Sequence, residues 1–349
     1  MTVPLLSVED LSVEFRTRDG IVRALEQVSF TVGRGETVGI VGESGSGKSV
    51  TALAILGILH PAARITGGRA VFGGLDLLTA AEDTLREYRG RELSMIFQNP
   101  RTALNPIRPV GRQIEDVLLR HANLARARLR ERAIGLLAQV QIADPGRAYH
   151  AYPFELSGGM CQRVMIALAV ACSPALLIAD EPTTGLDVTT QAAILELITE
   201  LGGPRTGPPS PPLAARDAPA KPWRPSIDRM AMVLITHDLA LAGERCDRIV
   251  VMHAGHVVET APTAELFASP RHPYTARLIA STPRPGATLA DLKPIPGSVP
   301  DLRGALPPCR YRSRCDRAVT ACDEPPLPRL TVGDAHTLAC RVPLTTWGA

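Results

Sequence analysis

The 349-residue sequence contains no uninterrupted run of about 18 or more apolar residues, which excludes an ordinary transmembrane helix. It also lacks an excess of charge of one sign, since 38 basic and 35 acidic residues give a formal net charge of +3. This balance gives no support to nucleic-acid binding. The opening residues, MTVPLLSVED, lack the charged segment and long apolar stretch of a signal peptide. We therefore expect a cytoplasmic protein that reaches a membrane only through a partner.

Internal repeats are missing as well, and the remaining composition is that of an ordinary globular chain. Alternating residues in LLSVEDLSVEF and VRALEQVSFTV predict antiparallel strands of a small β subdomain. Further along, short apolar runs alternate with helical stretches, which predicts a largely parallel sheet covered on both faces. One such stretch, VTTQAAILELITEL, predicts an amphipathic helix with Ile194, Leu195, Ile198 and Leu201 on one face. The expected fold class is α/β.

Three segments depart from this alternation. Residues of about 100–172 have helical spacing and many basic positions, which predicts a helical subdomain. Residues 202–228 are rich in Pro, Gly, Ser and Ala and predict a flexible surface insertion. From residue 261 to 349 the chain is first Pro-rich and then Cys-rich. We therefore predict a main domain over 1–260 followed by a C-terminal extension.

The clearest motif is a glycine-rich loop formed by Gly42, Glu43, Ser44, Gly45, Ser46, Gly47, Lys48 and Ser49. It lies between a predicted strand and a predicted helix, as the P-loop of nucleotide-binding proteins does. Glycines let successive backbone N–H groups point at phosphate oxygens, and the helix N-terminus adds a favourable dipole. Lys48 would place a cation on the β- and γ-phosphates of ATP, and Ser49 would offer its hydroxyl to Mg²⁺. Val50 completes the candidate loop site.

An apolar strand, ALLIAD, ends in two adjacent carboxylates, Asp180 and Glu181. We expect this strand beside the strand that precedes the P-loop. Asp180 is then suited to hold Mg²⁺ through water, and Glu181 can polarise the attacking water. The alternative is that the two carboxylates only end the strand before Pro182 and have no catalytic role.

The segment Leu156–Met160 reads LSGGM and precedes a predicted helix. With this segment the chain resembles the nucleotide-binding subunits of ABC transporters, over roughly residues 5–280 apart from the insertion. The resemblance implies a P-loop NTPase fold with a RecA-like core, an antiparallel β subdomain and a helical subdomain. It also implies that Ser157, Gly158 and Gly159 bind the γ-phosphate of ATP held by the opposite subunit, so that two subunits sandwich two ATP molecules. Met160, where Gln is common, fits the peptide-transporter branch.

The same resemblance assigns roles to isolated residues. Gln98 matches the Q-loop, which contacts Mg²⁺ and water, and Asp187 matches the D-loop, which communicates across the dimer. His237 matches the switch histidine that contacts the γ-phosphate. Phe15 is the candidate for the ring that stacks on adenine, with Val22 as the alternative.

The segment PRHPYT at 270–275, the signature continuation GMCQRVMIA and the Cys-rich tail resemble the oligopeptide/dipeptide import ATPases. This implies an ATP-hydrolysing subunit that powers peptide import at the cytoplasmic face of the inner (plasma) membrane. The implied partners are a second homologous ATPase, which makes a heterodimer, two transmembrane permease subunits and an extracytoplasmic substrate-binding protein. Nickel or another small solute stays open as cargo. ABC proteins of ribosomes or DNA usually fuse two cassettes or carry a coiled coil, and export ATPases normally lack such a tail.

Four of the seven cysteines crowd the tail with the spacing C-x5-C-x6-C-x17-C, at Cys309, Cys315, Cys322 and Cys340. A reducing cytosol disfavours disulfides, zinc ligands usually come in close pairs, and a [4Fe–4S] cluster accepts four thiolates from separate loops. The spacing alone leaves zinc, a cluster and no metal open. The resemblance favours the cluster, because peptide-import ATPases with this tail look like cluster binders. His336 is then a substitute ligand or, as we expect, a group that lies behind the ligands. We expect an independent tail, so nucleotide binding should survive loss of a cysteine.

Overall fold

The computed structural model describes residues 3–122, 124–201, 229–283, 293–333 and 335–345, so the insertion predicted over 202–228 lies outside the described residues. The strands are β1 Leu6–Thr17, β2 Gly20–Val32, β3 Thr37–Val41, β4 Ala63–Phe72, β5 Leu75–Asp76, β6 Leu93–Ile96, β7 Leu176–Asp180, β8 Ala231–Thr236, β9 Arg248–His253, β10 His256–Pro262, β11 Arg329–Val332 and β12 His336–Ala339. The helices are α1 Lys48–Ile55, α2 Glu82–Tyr88, α3 Pro100–Ala103, α4 Val110–His121, α5 Arg126–Gln139, α6 Pro145–His150, α7 Gly158–Val170, α8 Val188–Leu201, α9 Leu239–Arg245, α10 Thr263–Ala268 and α11 Pro273–Ala280. Among the described residues, no helix has both the length and the apolar character needed to cross a membrane.

The chain divides into two compact units. The first unit comprises Met1–Gly33, Thr37–Thr79 and Leu234–Ala349, and the second comprises Arg34–Glu36 and Ala80–Val233. The P-loop and the tail therefore belong to one compact unit. The predicted boundary between residues 260 and 261 falls inside that unit.

The first unit contains a four-stranded antiparallel sheet in the order β2-β1-β4-β5, as the alternation near the N-terminus predicts. Leu6, Val8, Leu11 and Val13 point into the core and are almost fully buried. An irregularity in the strand register between Val8 and Leu11 shifts the alternation by one residue, so that both pairs face inward. The β subdomain is thus built by the period of two that its sequence displays.

The first unit also contains strands in the order β11-β12-β10-β9-β3. β3 and β9 are parallel, whereas β10 pairs antiparallel with β9 and with β12. The sequence did not predict β11 and β12, because a strand of four residues is too short to display a clear alternation. The tail therefore adds two strands to the edge of the sheet that contains the P-loop strand β3.

A buried carboxylate, Glu259, fixes the tail to this sheet. It accepts hydrogen bonds from the backbone N–H groups of Arg271 and His272, and its Oε1 lies 2.7 Å from Nε2 of His336. Nδ1 of His336 lies 2.8 Å from Glu265. Burial lowers the pKa of His336, but these two carboxylates outweigh it and leave the pKa raised. Both ring nitrogens of His336 are therefore engaged by carboxylates, and its predicted role at the cysteine site stays a prediction.

The second unit contains the parallel pair β6 and β7 and the helices α3 to α7, which lie between Pro100 and Val170. Helices α4 and α6 approach each other closely at Gly111, where a Cβ atom would lie 2.1 Å from Cδ2 of Tyr149. The ring of Tyr149 is buried, and its hydroxyl donates a 2.6 Å hydrogen bond to Glu115. A glycine is needed here because the aromatic ring occupies the space of a side chain.

Helix α8 forms where the amphipathic pattern predicts a helix. Its buried residues are Ile194, Leu197 and Ile198, whereas Leu195 and Leu201 are only half-buried. The predicted buried face is therefore wrong at Leu195 and Leu201. The buried stripe consists of Ile194, Leu197 and Ile198, which are three and four residues apart.

Candidate functional site

The P-loop, residues Gly42 to Ser49, connects β3 to α1 in the first unit. Gly42, Gly45 and Gly47 have φ angles of 153°, 78° and 101°, which favour glycine. A Cβ atom on Gly42 would lie 2.1 Å from the carbonyl oxygen of Met252. The N-cap of α1, Gly47, provides no side-chain hydrogen bond to the helix start. The loop and the first N–H groups of the helix can therefore surround an anion.

Lys48 curls back over the loop that precedes it. Its Nζ donates hydrogen bonds to the carbonyl oxygens of Gly42 and Glu43 at 2.8 and 3.0 Å. The hydroxyl of Ser46 is buried and has no hydrogen-bond partner among the described residues. A nucleotide phosphate fits this arrangement, because the loop combines a glycine-rich backbone, a cation and a buried hydroxyl group.

The side chain of Glu43 is fixed by the tail. Its two carboxylate oxygens accept hydrogen bonds from Nη1 and Nη2 of Arg314 at 2.7 and 2.8 Å. Its backbone N–H donates to the hydroxyl of Tyr274 at 3.0 Å. Burial raises the pKa of the Glu43 carboxyl, but the nearby His253 ring, whose Nδ1 lies 3.5 Å from Oε2, and the hydrogen bonds from Arg314 outweigh it and lower the pKa to about 2.

A second buried arginine of the tail, Arg310, lies beside the other end of the P-loop. It donates hydrogen bonds to the carbonyl oxygens of Ala254 and Arg23 and pairs with Glu26. Gly255, which follows Ala254 in the chain, donates a 2.9 Å hydrogen bond from its backbone N–H to the carbonyl oxygen of Ser46. Two arginines of the same short tail segment therefore support the two ends of the loop.

The second unit brings Gln98, Asp180 and Glu181 to the carboxyl ends of the parallel strands β6 and β7. Asp180 is buried at the last position of β7. Oε2 of Glu181 accepts hydrogen bonds from Nε2 of Gln98 at 2.8 Å and from the hydroxyl of Thr184 at 2.9 Å. Glu181 has a φ of 44°, in the left-handed region, so the extended backbone of β7 ends at Asp180. Two predicted catalytic residues are thus in direct contact.

The signature segment forms the start of α7. Ser157 is its N-cap and accepts a hydrogen bond from the backbone N–H of Met160 at 3.3 Å, with Gly158 and Gly159 in the first turn. A Cβ atom on Gly158 would meet nothing within 4 Å, so the helix start is open. The buried amide of Gln162 donates a 2.6 Å hydrogen bond to the carbonyl oxygen of Pro182. This bond ties the signature helix to the loop that follows Glu181.

The remaining predicted residues lie at element ends. Asp187 precedes α8 and accepts hydrogen bonds from the backbone N–H and the hydroxyl of Thr190, which lower its pKa. His237 directly follows β8 and is exposed, and Val50 is half-buried in α1. Asp187 thus stabilises the start of a helix in addition to any contact with a partner.

The two candidates for the adenine contact are neighbours. Phe15 of β1 and Val22 of β2 face each other in the register of the hairpin, and both are half-buried. From the sequence, either residue could contact adenine, and the structure places the two side by side. An isolated bridge also joins Val22 to Arg303 of the tail.

Comparison with known proteins identifies the family. A family model described as "ABC transporter" matches residues 25–184, and one described as "oligopeptide/dipeptide transporter, C-terminal region" matches residues 258–322. A relative from Sinorhizobium fredii (strain NBRC 101917 / NGR234), named probable peptide ABC transporter ATP-binding protein y4tR, is 46% identical over 96% of this chain and 94% of its own length. The chain belongs to the ABC transporter ATPases.

Other members of the family support this assignment. The dipeptide transport ATP-binding protein DppD of Escherichia coli (strain K12) is 43% identical over 99% of this chain and 98% of its own length. The solved dimeric post-hydrolysis state of the ATP-binding cassette MJ0796, bound to ADP and Pi, is similar with a TM-score of 0.60 and 25% identity. That similarity covers 74% of this chain and 98% of the solved chain. The predicted ABC ATPase fold and the oligopeptide/dipeptide branch are confirmed.

The tail of this ABC ATPase carries the four cysteines that the sequence predicts as a cluster site. Cys309, Cys315, Cys322 and Cys340 are free thiols, and burial is the main cause that raises the pKa of Cys340 to about 12. The other three thiols raise it further, so the four lie within electrostatic reach of one another. Among the described residues, however, no three His, Cys, Asp or Glu side chains form a group that could hold a metal ion. The fit to the predicted cluster is therefore not confirmed.

Sequence reasoning missed Arg314, Arg310, Tyr274 and Gln162. Arg314 lies 271 residues from Glu43, so no local pattern joins them. The run CRYRSRC does concentrate three arginines between two cysteines, but nothing in the sequence distinguishes the two buried arginines from the half-buried Arg312. Tyr274 belongs to the segment PRHPYT, which indicated the branch of the family but not a contact with the loop.

Proposed function

We propose that this chain binds and hydrolyses ATP to power the import of peptides across the cytoplasmic membrane. The observation that carries the proposal is the P-loop, whose glycine cradle, Lys48 and buried Ser46 hydroxyl suit a nucleotide phosphate. Peptide cargo is supported by the names of the relatives above, which match almost the entire chain. Neither of those names favours nickel or another small solute.

The chemical roles follow from the type and place of each residue. Lys48 is suited to neutralise the β- and γ-phosphates, and Ser49, Gln98 and Asp180 are the residues that would hold Mg²⁺. Glu181 orients and deprotonates the attacking water, and His237 contacts the γ-phosphate. Mg²⁺ supplies charge neutralisation when it is bound, and the chain's own residues position the water and the phosphates.

The open start of the signature helix supports an assembly of two ATPase subunits. Ser157, Gly158 and Gly159 bind the nucleotide of a second, homologous ATPase, and Asp187 communicates across the pair. We propose a heterodimer beneath two transmembrane permease subunits, fed by an extracytoplasmic substrate-binding protein. The chain then lies at the cytoplasmic face of the inner (plasma) membrane, with residues 1–260 as the nucleotide-binding domain and 261–349 as its extension.

The test of the cargo is reconstitution of the complete transporter in lipid, with ATP hydrolysis as the readout. Substrate-binding protein loaded with di- or oligopeptide should raise the hydrolysis rate at least about fivefold over unloaded protein, a typical allosteric coupling. Binding protein incubated with Ni²⁺ is the matched control and should leave the rate unchanged. Stimulation by Ni²⁺ without stimulation by peptide would assign the transporter to the other cargo.

We further propose that Cys309, Cys315, Cys322 and Cys340 ligate a [4Fe–4S] cluster. The proposal is supported by the presence of four free cysteines in one tail, three of which are buried. Four thiolates held together would repel one another, and a cationic cluster offsets this repulsion.

Anaerobic purification followed by iron and acid-labile sulfide assays tests this proposal. We expect about four iron and four sulfide per chain and a brown protein that bleaches on reduction. Cys315→Ser should lose most of both, whereas Cys172→Ser, a cysteine outside the tail, should keep them. Stoichiometric zinc without sulfide, or no metal at all, contradicts the cluster.

A further inference from the structure

The ion pair between Glu43 and Arg314 joins the first variable position of the P-loop to the tail. It is bidentate, with both carboxylate oxygens and both terminal guanidinium nitrogens engaged. Bidentate pairs of this kind are stronger and more directional than single charged hydrogen bonds. The side chain of Arg314 is only 3% exposed and that of Glu43 is 26% exposed, so water weakens the pair less than it weakens surface pairs.

Arg314 is itself held firmly. Its Nε donates a 2.7 Å hydrogen bond to the carbonyl oxygen of Pro296, and its guanidinium carbon lies 5.8 Å from the ring centre of Tyr311. The ring of Tyr311 packs against Tyr274, whose hydroxyl accepts the backbone N–H of Glu43. Both the side chain and the backbone of Glu43 are therefore fixed by one buried cluster.

This placement controls the part of the loop that Lys48 contacts. The carbonyl oxygens of Gly42 and Glu43 accept the hydrogen bonds of Lys48, so a shift of this peptide would move the lysine. The Glu43 carboxylate is also a negative charge within a loop that surrounds anionic phosphates. A neighbouring cation is needed to prevent it from repelling them.

We propose that Arg314 is a positioning residue for ATP, which fixes the P-loop through Glu43 and neutralises the charge that Glu43 brings to it. The C-terminal segment thus takes part in nucleotide binding and is not an independent module. The inference rests on ATP binding at the P-loop and is independent of the proposed peptide cargo and of the cysteine site.

The experiment measures the affinity of the full-length chain for Mg–AMP-PNP, which is not hydrolysed, by calorimetry. Arg314→Ala should weaken binding about tenfold, because it removes two charged hydrogen bonds and exposes the phosphates to the Glu43 carboxylate. The double variant Glu43→Gln with Arg314→Ala should recover affinity to within about threefold of the wild type, since no uncompensated charge remains. A purely structural role of Arg314 would not be rescued by removing the charge of Glu43.

Arg312→Ala is the matched control, because Arg312 belongs to the same segment but pairs with Asp323 at the surface. It should bind nucleotide like the wild type. If Arg314→Ala does not fold at the assay temperature, Arg314→Lys replaces it, which keeps the charge but cannot form the bidentate pair and should bind several-fold more weakly.

Wild-type affinity in the folded Arg314→Ala or Arg314→Lys variant overturns the inference, as does an additive loss in the double variant. Failure of the wild-type chain itself to bind Mg–AMP-PNP would instead overturn ATP binding, so the two failures are distinguishable.

Discussion

Replacement of Glu181 by glutamine is expected to leave ATP bound but not hydrolysed. Glutamine keeps the shape of the side chain and an oxygen that can accept from Gln98 and Thr184, but it cannot take a proton from water. Loss of a well-placed general base lowers turnover by about 10²–10⁴-fold. The dissociation constant for ATP should stay within about threefold of the wild type, since the phosphates bind elsewhere.

The measurement compares ATP hydrolysis by the assembled pair of ATPases with ATP affinity of the single chain. Glu200→Gln, at an exposed position of α8, is the control and should hydrolyse ATP at the wild-type rate. Because ATP persists in Glu181→Gln, the pair should also elute as a stable dimer with ATP and as separate chains without it. Undiminished turnover in Glu181→Gln would remove this residue from its role, and a dimer indifferent to ATP would contradict the nucleotide sandwich.

Substitution of Gly47 by alanine is expected to abolish most nucleotide binding. The new Cβ atom would lie 2.5 Å from Cδ2 of Leu25 and 3.0 Å from the backbone oxygen of Ala24, at a φ of 101° that disfavours alanine. The loop must shift, and with it the start of α1 and the position of Lys48. Misplacement by about 1 Å can cost about 100-fold, which we expect in kcat/KM for ATP.

Gly45→Ala provides the matched control within the same loop. Gly45 also has a positive φ, 78°, but its Cβ atom would meet nothing within 4 Å. It should therefore show only the modest conformational cost and a much smaller loss of kcat/KM. Equal losses in both variants would show that backbone strain, and not the contact with Leu25 and Ala24, limits the loop.

The residues of the candidate site that the sequence predicts are those within short contiguous motifs. The P-loop and the Asp180–Glu181 pair are readable because a strand end fixes where such residues must lie. The bond between Gln98 and Glu181 also follows from the motifs, since parallel strands bring their carboxyl ends to the same edge. Contacts that depend on tertiary packing are not readable in this way.

The tail shows where sequence reasoning fails. Its composition suggested an independent appendage, yet β11 and β12 extend the sheet and Arg314 enters the P-loop cluster. Strands of four residues are too short to show a clear alternation of apolar and polar residues. A buried arginine can be predicted only when its carboxylate partner is known. The same limit explains α8, where the choice between Leu195 and Leu197 depends on which neighbour covers the helix.

The distance along the chain between Glu43 and Arg314 has a consequence for biosynthesis. A ribosome that adds about 5–20 residues per second needs roughly 14–54 s to progress from one to the other, because 271 positions separate them. During that interval the nascent P-loop exists without its guanidinium partner. A polypeptide whose translation stops before Arg314 would retain every nucleotide-binding motif but would bind ATP weakly. In a chain that is still being synthesised, full affinity for ATP therefore develops only after Arg314 has been added.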